Sequence, residues 1–264
     1  MSATLLHIHR RLLDLSEPRV MAILNVTEDS FYTHCPSCSQ ADILAAAAQQ
    51  LSAGADILDI GACSTRPGSE PVAEQVERDR IAMAVTTIRS AFPDALLSVD
   101  TFRTSVAQTA LEAGADMIND VSGGNEAMYD LISRAHVPYV LTHAQGTTMD
   151  ECVDFFARRL DLLHQRGVAD VVIDPGFGFG KTIEQNWSLL RHLHELSVLQ
   201  TPILVGLSRK SMIYKALETD ADHALYGTVA AHVYALQGGA SILRVHDVAA
   251  AKDAIKVFNY VNNN

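Results

Sequence analysis

Short β-branched and aliphatic runs alternate along this chain with longer segments whose apolar positions fall three and four residues apart. The runs occupy residues 20–24, 56–60, 95–99, 116–118, 137–141, 170–173, 202–205 and 241–245. The segments of helical period occupy 40–53, 73–91, 104–113, 126–135, 149–165, 183–196, 209–236 in two pieces, and 248–260. Ala53-Gly54-Ala55-Asp56-Ile57 and Ala113-Gly114-Ala115-Asp116-Met117 repeat one piece of punctuation: helix, glycine stop, strand. Gly167 and Gly238-Gly239 stand at equivalent places, where a left-handed residue closes a helix. Eight such units averaging roughly 33 residues predict an α/β chain folded as a closed (β/α)8 barrel. Strands this apolar on both faces suit a parallel sheet covered by helices. The expected organisation is a single barrel domain over 1–264, with 1–18 as an N-terminal extension. A doubly wound open sheet is the competing arrangement. A dinucleotide-binding sheet of that kind would carry Gly-x-Gly-x-x-Gly after its first strand, and that turn is missing here.

Charge narrows the choice of ligand. The 264 residues include 20 Lys+Arg against 31 Asp+Glu, a formal net charge of −11, with no basic cluster. A nucleic-acid or membrane-surface partner, which needs a positive stripe, is therefore not expected. Every apolar run is cut by Asp, Arg, His or Gly well before the roughly 20 residues of a membrane helix. Residues 1–19 hold Arg10 and Arg11 in an alternating polar pattern without an apolar core and cleavage site, so the expected location is the cytoplasm. Four cysteines are too few for a disulfide framework. Cys35-Pro-Ser-Cys38 does have redox or metal spacing. With Cys63 and His34 it could form a disulfide or a Cys3His zinc site, although free thiols are the favoured reading.

The reactive side chains fall at the C-terminal ends of the runs. In order these are Asn25, then Ser64-Thr65-Arg66-Pro67-Gly68, Asp100, Asn119-Asp120 and Thr142-His143. They continue with Asp174 and the segment Gly176-Phe177-Gly178-Phe179-Gly180-Lys181, then Ser208-Arg209-Lys210, and finally Arg244 with His246-Asp247. A closed barrel gathers all eight ends at one mouth, where barrel active sites lie. Asp100, Asn119, Asp174 and Lys210 would there suit a flat heterocycle bearing several N–H and C=O groups. Taken singly, Asp174 is equally a turn former before Pro175, and Asn119-Asp120 an Asx turn. Asn25, Arg244 and His246 lie on runs that become neighbours when the barrel closes. They would suit a pyrophosphate with a hard cation such as Mg2+, or else form a rim histidine and an Arg244 ion pair to Asp247 or Asp29. Ser208-Arg209-Lys210-Ser211 reads as an N-cap and first helical turn able to dock a carboxylate, or as a plain helix start. The alternating glycines lack P-loop spacing, and Phe177 and Phe179 either pack or wall a ring-shaped ligand. Arg66, Lys181, Arg209, Lys210 and Arg244 are expected to concentrate positive charge at the mouth of an acidic protein.

Together these blocks, with Asn25-Val26-Thr27, Ser98-Val99-Asp100-Thr101 and Arg244-Val245-His246-Asp247, resemble the dihydropteroate synthase family of pterin-binding (β/α)8 barrels across residues 19–258. The resemblance implies a folate-pathway transferase that joins a hydroxymethyl-dihydropterin diphosphate to p-aminobenzoate and releases pyrophosphate, usually as a homodimer with Mg2+. It implies that Asp100, Asn119, Asp174 and Lys210 hold the pterin, with Arg244 stacking on it. Asn25, Arg244 and His246 would hold the diphosphate, and Asn25 the metal. Thr65, Arg66, Pro67, Phe179 and Ser208 would form the p-aminobenzoate pocket, where sulfonamides act, and Asp100, Asp174, Lys210 and Arg244 would carry the chemistry. No protein nucleophile is needed, because the weakly basic aromatic amine is already unprotonated at neutral pH.

The chain departs from the family pattern at Glu28, usually Pro, and in the first loop at residues 32–38. It departs again at Gly61-Ala62-Cys63-Ser64, usually Gly-Gly-Glu-Ser, and at Thr142-His143-Ala144, usually Met-His-Met. Two alternatives share the barrel: a methyltetrahydrofolate-binding methyltransferase, which lacks the Ser-Thr-Arg-Pro-Gly and Ser-Arg-Lys blocks, and a non-catalytic pterin-binding paralogue.

Overall fold

The computed structural model describes residues 5–8, 11–27, 39–63, 72–146 and 148–262. Eight parallel strands close into a barrel: β3 (Arg19–Asn25), β4 (Ile57–Gly61), β5 (Leu96–Asp100), β6 (Met117–Asp120), β7 (Tyr139–Thr142), β8 (Val171–Asp174), β9 (Ile203–Val205) and β10 (Ala240–Val245). The strands stand in chain order, with β10 pairing back to β3. Ahead of them β1 (Leu5–Ile8) and β2 (Arg11–Asp14) form an antiparallel hairpin.

Helices follow the strands as α1 (Gln40–Ser52), α2 (Glu74–Ala91), α3 (Thr104–Glu112), α4 (Glu126–Ala135), α5 (Met149–Gln165), α6 (Ile183–Arg191), α7 (Ser211–Ala216), α8 (Leu225–Gln237) and α9 (Val248–Asn262). Their starts are specified locally. Ser39, Thr148 and Thr182 each cap a helix and donate their own backbone N–H in return to the side chains of Asp42, Glu151 and Gln185, while Asn125 caps α4 alone. The expected helix over 183–196 stops earlier, because a 3-10 segment takes over at Leu193–Leu199. That over 209–236 opens only at Ser211 and comes in the two pieces expected, divided between Ala216 and Leu225.

The repeated glycine stops behave as their position requires, with φ of 98° at Gly54 and 106° at Gly114. The aspartate after each glycine adds a function of its own. Asp56 accepts the backbone N–H of Val20 at 2.8 Å, and Asp116 that of Leu97 at 2.8 Å. Lys252 and Arg89 neutralise them from the helix layer, so each aspartate ties a strand start to its neighbour.

Strand parity separates two cores. Val20, Ala22 and Leu24 of β3 and their counterparts face outward into the helix layer. Met21, Ile57, Met117, Val140, Val172, Leu204 and Ile242 face the barrel axis and form a second cluster with Leu6 and Leu15. The N-terminal residues, read from sequence only as an extension, therefore close the barrel floor: the hairpin's apolar face plugs it. The hairpin is fixed from outside by His7 N–H donating to Asp170 and by Arg11 paired with Asp94. Among the described residues no helix is long and apolar enough to cross a membrane.

Candidate active site

Moving two residues along each strand from the floor plug, toward the C-terminal end, keeps a side chain pointing inward. From β3 to β10 that step gives Ile23, Asp59, Ser98, Asn119, Thr142, Asp174, Gly206 and Arg244. Apart from Ile23 and Gly206, this ring is polar. Asp59, Ser98, Asn119, Thr142 and Asp174 are buried, and four of its polar atoms, Asp59 Oδ1, Ser98 Oγ, Asn119 Oδ1 and Thr142 Oγ1, have no hydrogen-bond partner among the described residues. Buried polar atoms are ordinarily paired, so unsatisfied atoms grouped in one barrel layer mark a surface shaped for a polar ligand.

Arg244 organises the ring. Its Nε donates to Asp59 Oδ2 and its terminal nitrogen to Asp100 Oδ2, each at 2.6 Å. Asn119 Nδ2 donates to the same Asp59 oxygen at 3.0 Å. The Arg244 ion pair with Asp247 considered from sequence is thus replaced by a double pairing with Asp59 and Asp100, and Asp29 lies outside the described residues. Asp59 is the functional residue that sequence reading missed, and a charged residue inside the run Ile57-Leu58-Asp59-Ile60 was its signal. Asn119 and Asp120 divide the two roles weighed for them. Asn119 faces the ring, whereas Asp120 faces outward, forms the Asx turn through Ser122 N–H at 2.8 Å and accepts the Tyr139 hydroxyl at 2.8 Å.

Asp174 accepts Gly176 N–H at 2.8 Å, the turn role weighed for it, and also lies in the inward ring. The Lys210 ammonium donates to Phe177 O and sits 5.0 Å from the centre of the Phe179 ring. Gly176 has a φ of 72°, and a Cβ there would stand 2.2 Å from His143 O, so only glycine lets this loop close against the β7 end. Phe177 is core, whereas Phe179 is half-buried beside Lys210. Burial and charge perturb the site's ionisable groups. Burial pushes the Asp100 carboxyl up to about 7 against the pull of Arg244, aided by nearby Asp59. Burial raises Asp174 as well, opposed by Lys210. It brings the Lys210 ammonium down to about 8, opposed by Asp174.

On the other side of the mouth, Ser208 does not cap a helix. Lys210 stands at the N-cap of the six-residue α7, and the Ser208 hydroxyl instead meets His246 at both its backbone N, 3.2 Å, and Nδ1, 3.0 Å. The N-cap reading of Ser208 is corrected accordingly. Arg209, at φ 56°, turns away to grip Asp247 with two bonds of 2.9 and 2.7 Å. Lys181 is held by the carbonyls of His143 and Gly176, each at 3.0 Å. Of the described cations expected to supply positive charge at the mouth, Lys181 and Arg209 are thus committed to structure, and Lys210 and Arg244 face the ring. Asn25, His246, Arg209 and Asp247 line a neighbouring cavity of about 350 Å³. His143 leaves the site altogether, packing outward against Phe155 at 4.7 Å, and burial lowers its imidazole to about 4. Thr65, Arg66 and Pro67, together with Glu28 and residues 32–38, lie outside the described residues. The proposed Cys35, Cys38 and His34 cluster lies outside them too.

Comparison with known proteins agrees with this geometry. The family model described as pterin binding enzyme matches residues 21–246. A dihydropteroate synthase of Synechocystis sp. is 41% identical over 255 residues, covering 90% of this chain and 88% of that protein. The structure of the Xanthomonas albilineans dihydropteroate synthase with 4-aminobenzoic acid superposes with a TM-score of 0.93 at 38% identity, covering 100% of both chains. That of a Coxiella burnetii dihydropteroate synthase in complex with pteroic acid superposes with a TM-score of 0.90 at 35% identity, covering 98% of each.

Proposed function

Because this chain belongs to the pterin binding enzyme family, and within it to the dihydropteroate synthases, we propose that its inward polar ring is the floor on which the pterin substrate lies. The reaction joins 6-hydroxymethyl-7,8-dihydropterin diphosphate to p-aminobenzoate, giving 7,8-dihydropteroate and pyrophosphate. One observation carries the assignment of the floor: the unpartnered atoms of Asp59, Ser98, Asn119 and Thr142 share a single barrel layer.

On this reading Asn119, Asp174 and Lys210 read the ring's donors and acceptors. Arg244 spends its edges on Asp59 and Asp100, which leaves the guanidinium face to stack on the ring. Breaking the carbon–oxygen bond leaves negative charge on the departing diphosphate and positive charge on the pterin methylene. Arg244 and His246 face the first charge, Asp100 and Asp174 the second. Ser208 orients His246 through its ring nitrogen, and Phe179 flanks the entry of the aromatic amine. The Asn25 amide lines the cavity beside His246, and among the described residues there is no preformed cage of three or more His, Cys, Asp or Glu side chains. This donor set suits Mg2+, which takes one or two protein oxygens and fills its shell with phosphate and water. Bound there, the ion would neutralise charge on the leaving diphosphate.

A homodimer fits the outer face of α8, which has no Asp, Glu, Lys or Arg and carries Tyr226 and Tyr234 exposed two turns apart. A cytoplasmic location accords with the substrates. The assay that tests the reading supplies pterin diphosphate, Mg2+ and p-aminobenzoate and measures dihydropteroate and pyrophosphate. Equal release of both is expected. Tight pterin binding without product would leave only the non-catalytic paralogue, and methyl transfer from methyltetrahydrofolate would favour the methyltransferase.

A further inference from the structure

Two polar members of the ring, Ser98 and Thr142, have no part in the contacts assigned above, and of these Thr142 is the one that departs from the family pattern. Thr142 ends β7, fully buried, with Asp174 as its register partner on β8. The parity that sends Val140 into the floor plug turns Thr142 toward the axis as well. Its hydroxyl is buried and has no hydrogen-bond partner among the described residues. Toward the glycine-rich loop Thr142 presents its methyl group: a Cβ built on Gly176 would lie 3.3 Å from Thr142 Cγ2, beyond the His143 carbonyl at 2.2 Å. A buried hydroxyl without a partner destabilises a fold, and a group entering from the mouth between Asn119 and Asp174 is the partner this position leaves available. The Met-His-Met pattern usual at this block offers no hydroxyl.

We propose that the Thr142 hydroxyl hydrogen-bonds the pterin ring, so that this chain reads the heterocycle from β7 as well as from β6 and β8. The proposal rests on the pterin reading of the floor. A hydroxyl both donates and accepts, so it serves either a ring N–H or a ring oxygen or nitrogen and rejects a C–H at the same place.

The test compares the full-length chain with Thr142→Val, which keeps the side-chain shape and removes the hydroxyl, and with Thr142→Ser, which keeps the hydroxyl. Calorimetry with the pterin diphosphate is expected to show affinity reduced about tenfold in T142V and largely restored in T142S. The melting temperature of T142V without substrate should match or exceed that of the parent, because an unpaired buried hydroxyl has been removed, and KM for p-aminobenzoate should not move. Equal affinity in the parent and T142V overturns the proposal and leaves the pterin floor standing. A weakened T142V whose melting temperature also falls, with no rescue by T142S, overturns it too, since packing then explains the loss. A parent chain that binds no pterin overturns the underlying reading and this proposal with it.

Discussion

On six of the eight barrel strands, two successive inward positions behave as opposite materials. The lower ones, Met21, Ile57, Met117, Val140, Val172, Leu204 and Ile242, meet one another and the N-terminal residues Leu6 and Leu15 in a buried apolar cluster. Apart from Ile23 and Gly206, the positions two residues on are two carboxylates, an amide, two hydroxyls and a guanidinium that satisfy one another only in part. The same backbone therefore supports a layer that serves stability and a layer that gives up stability for a ligand, within one step of the pleat. A stability-driven barrel would continue the apolar plug upward. Placing Asp59, Ser98, Asn119 and Thr142 there instead is costly unless the site is used.

The sharpest way to break this contrast is to delete one anchor from each layer. Arg244→Ala strips the cation from two carboxylates, one of them fully buried. It should lower kcat/KM about a thousandfold and also destabilise the chain by about 3–5 kcal/mol. Ile57→Ala in the floor should cost a comparable 2–5 kcal/mol, roughly, through the cavity it opens, while leaving pterin affinity where it was. Denaturant melts and steady-state kinetics on the pair decide this; an Ile57→Ala chain that loses pterin affinity as strongly as it loses stability would dissolve the distinction.

The pH dependence probes the upper layer alone. Asp100 accepts charge only when ionised and titrates near 7, and Lys210 donates only when protonated and titrates near 8. The profile of kcat/KM for the pterin diphosphate should therefore rise through about 7 and fall through about 8. Lys210→Arg, which stays charged, should lose the alkaline limb. An alkaline limb unchanged in that variant would assign it to another group. The smallest expected effect is that of Thr142→Val, about tenfold in pterin affinity with no loss of stability.

Much of this was legible in the primary structure for identifiable reasons. The barrel followed from alternating periods and glycine stops, both local signals. Asn119, Asp174, Lys210 and Arg244 were legible because they stand at run ends. Asp59 was not, since a single charge within four apolar residues reads as part of a strand until strand parity turns it inward. Thr142 registered as a run-end residue and a departure from the family pattern but was given no role, because a buried hydroxyl becomes informative only when its partners are counted. Ser208 misled because Ser208-Arg209-Lys210-Ser211 offers two serines as caps, and the positive φ of Arg209 that separates them is set by its grip on Asp247. The hairpin was hidden for a different reason: its apolar residues complete a core contributed by distant strands.

The central claim is that the mouth-side ring is satisfied by the pterin. A crystal structure of the chain with pteroic acid tests it most directly. The account predicts the heterocycle lying against Asn119, Asp174 and Lys210, with Asp59 Oδ1, Asn119 Oδ1 or Thr142 Oγ1 gaining a hydrogen bond that each now lacks. A ring bound elsewhere, with those atoms still unpartnered, would contradict it.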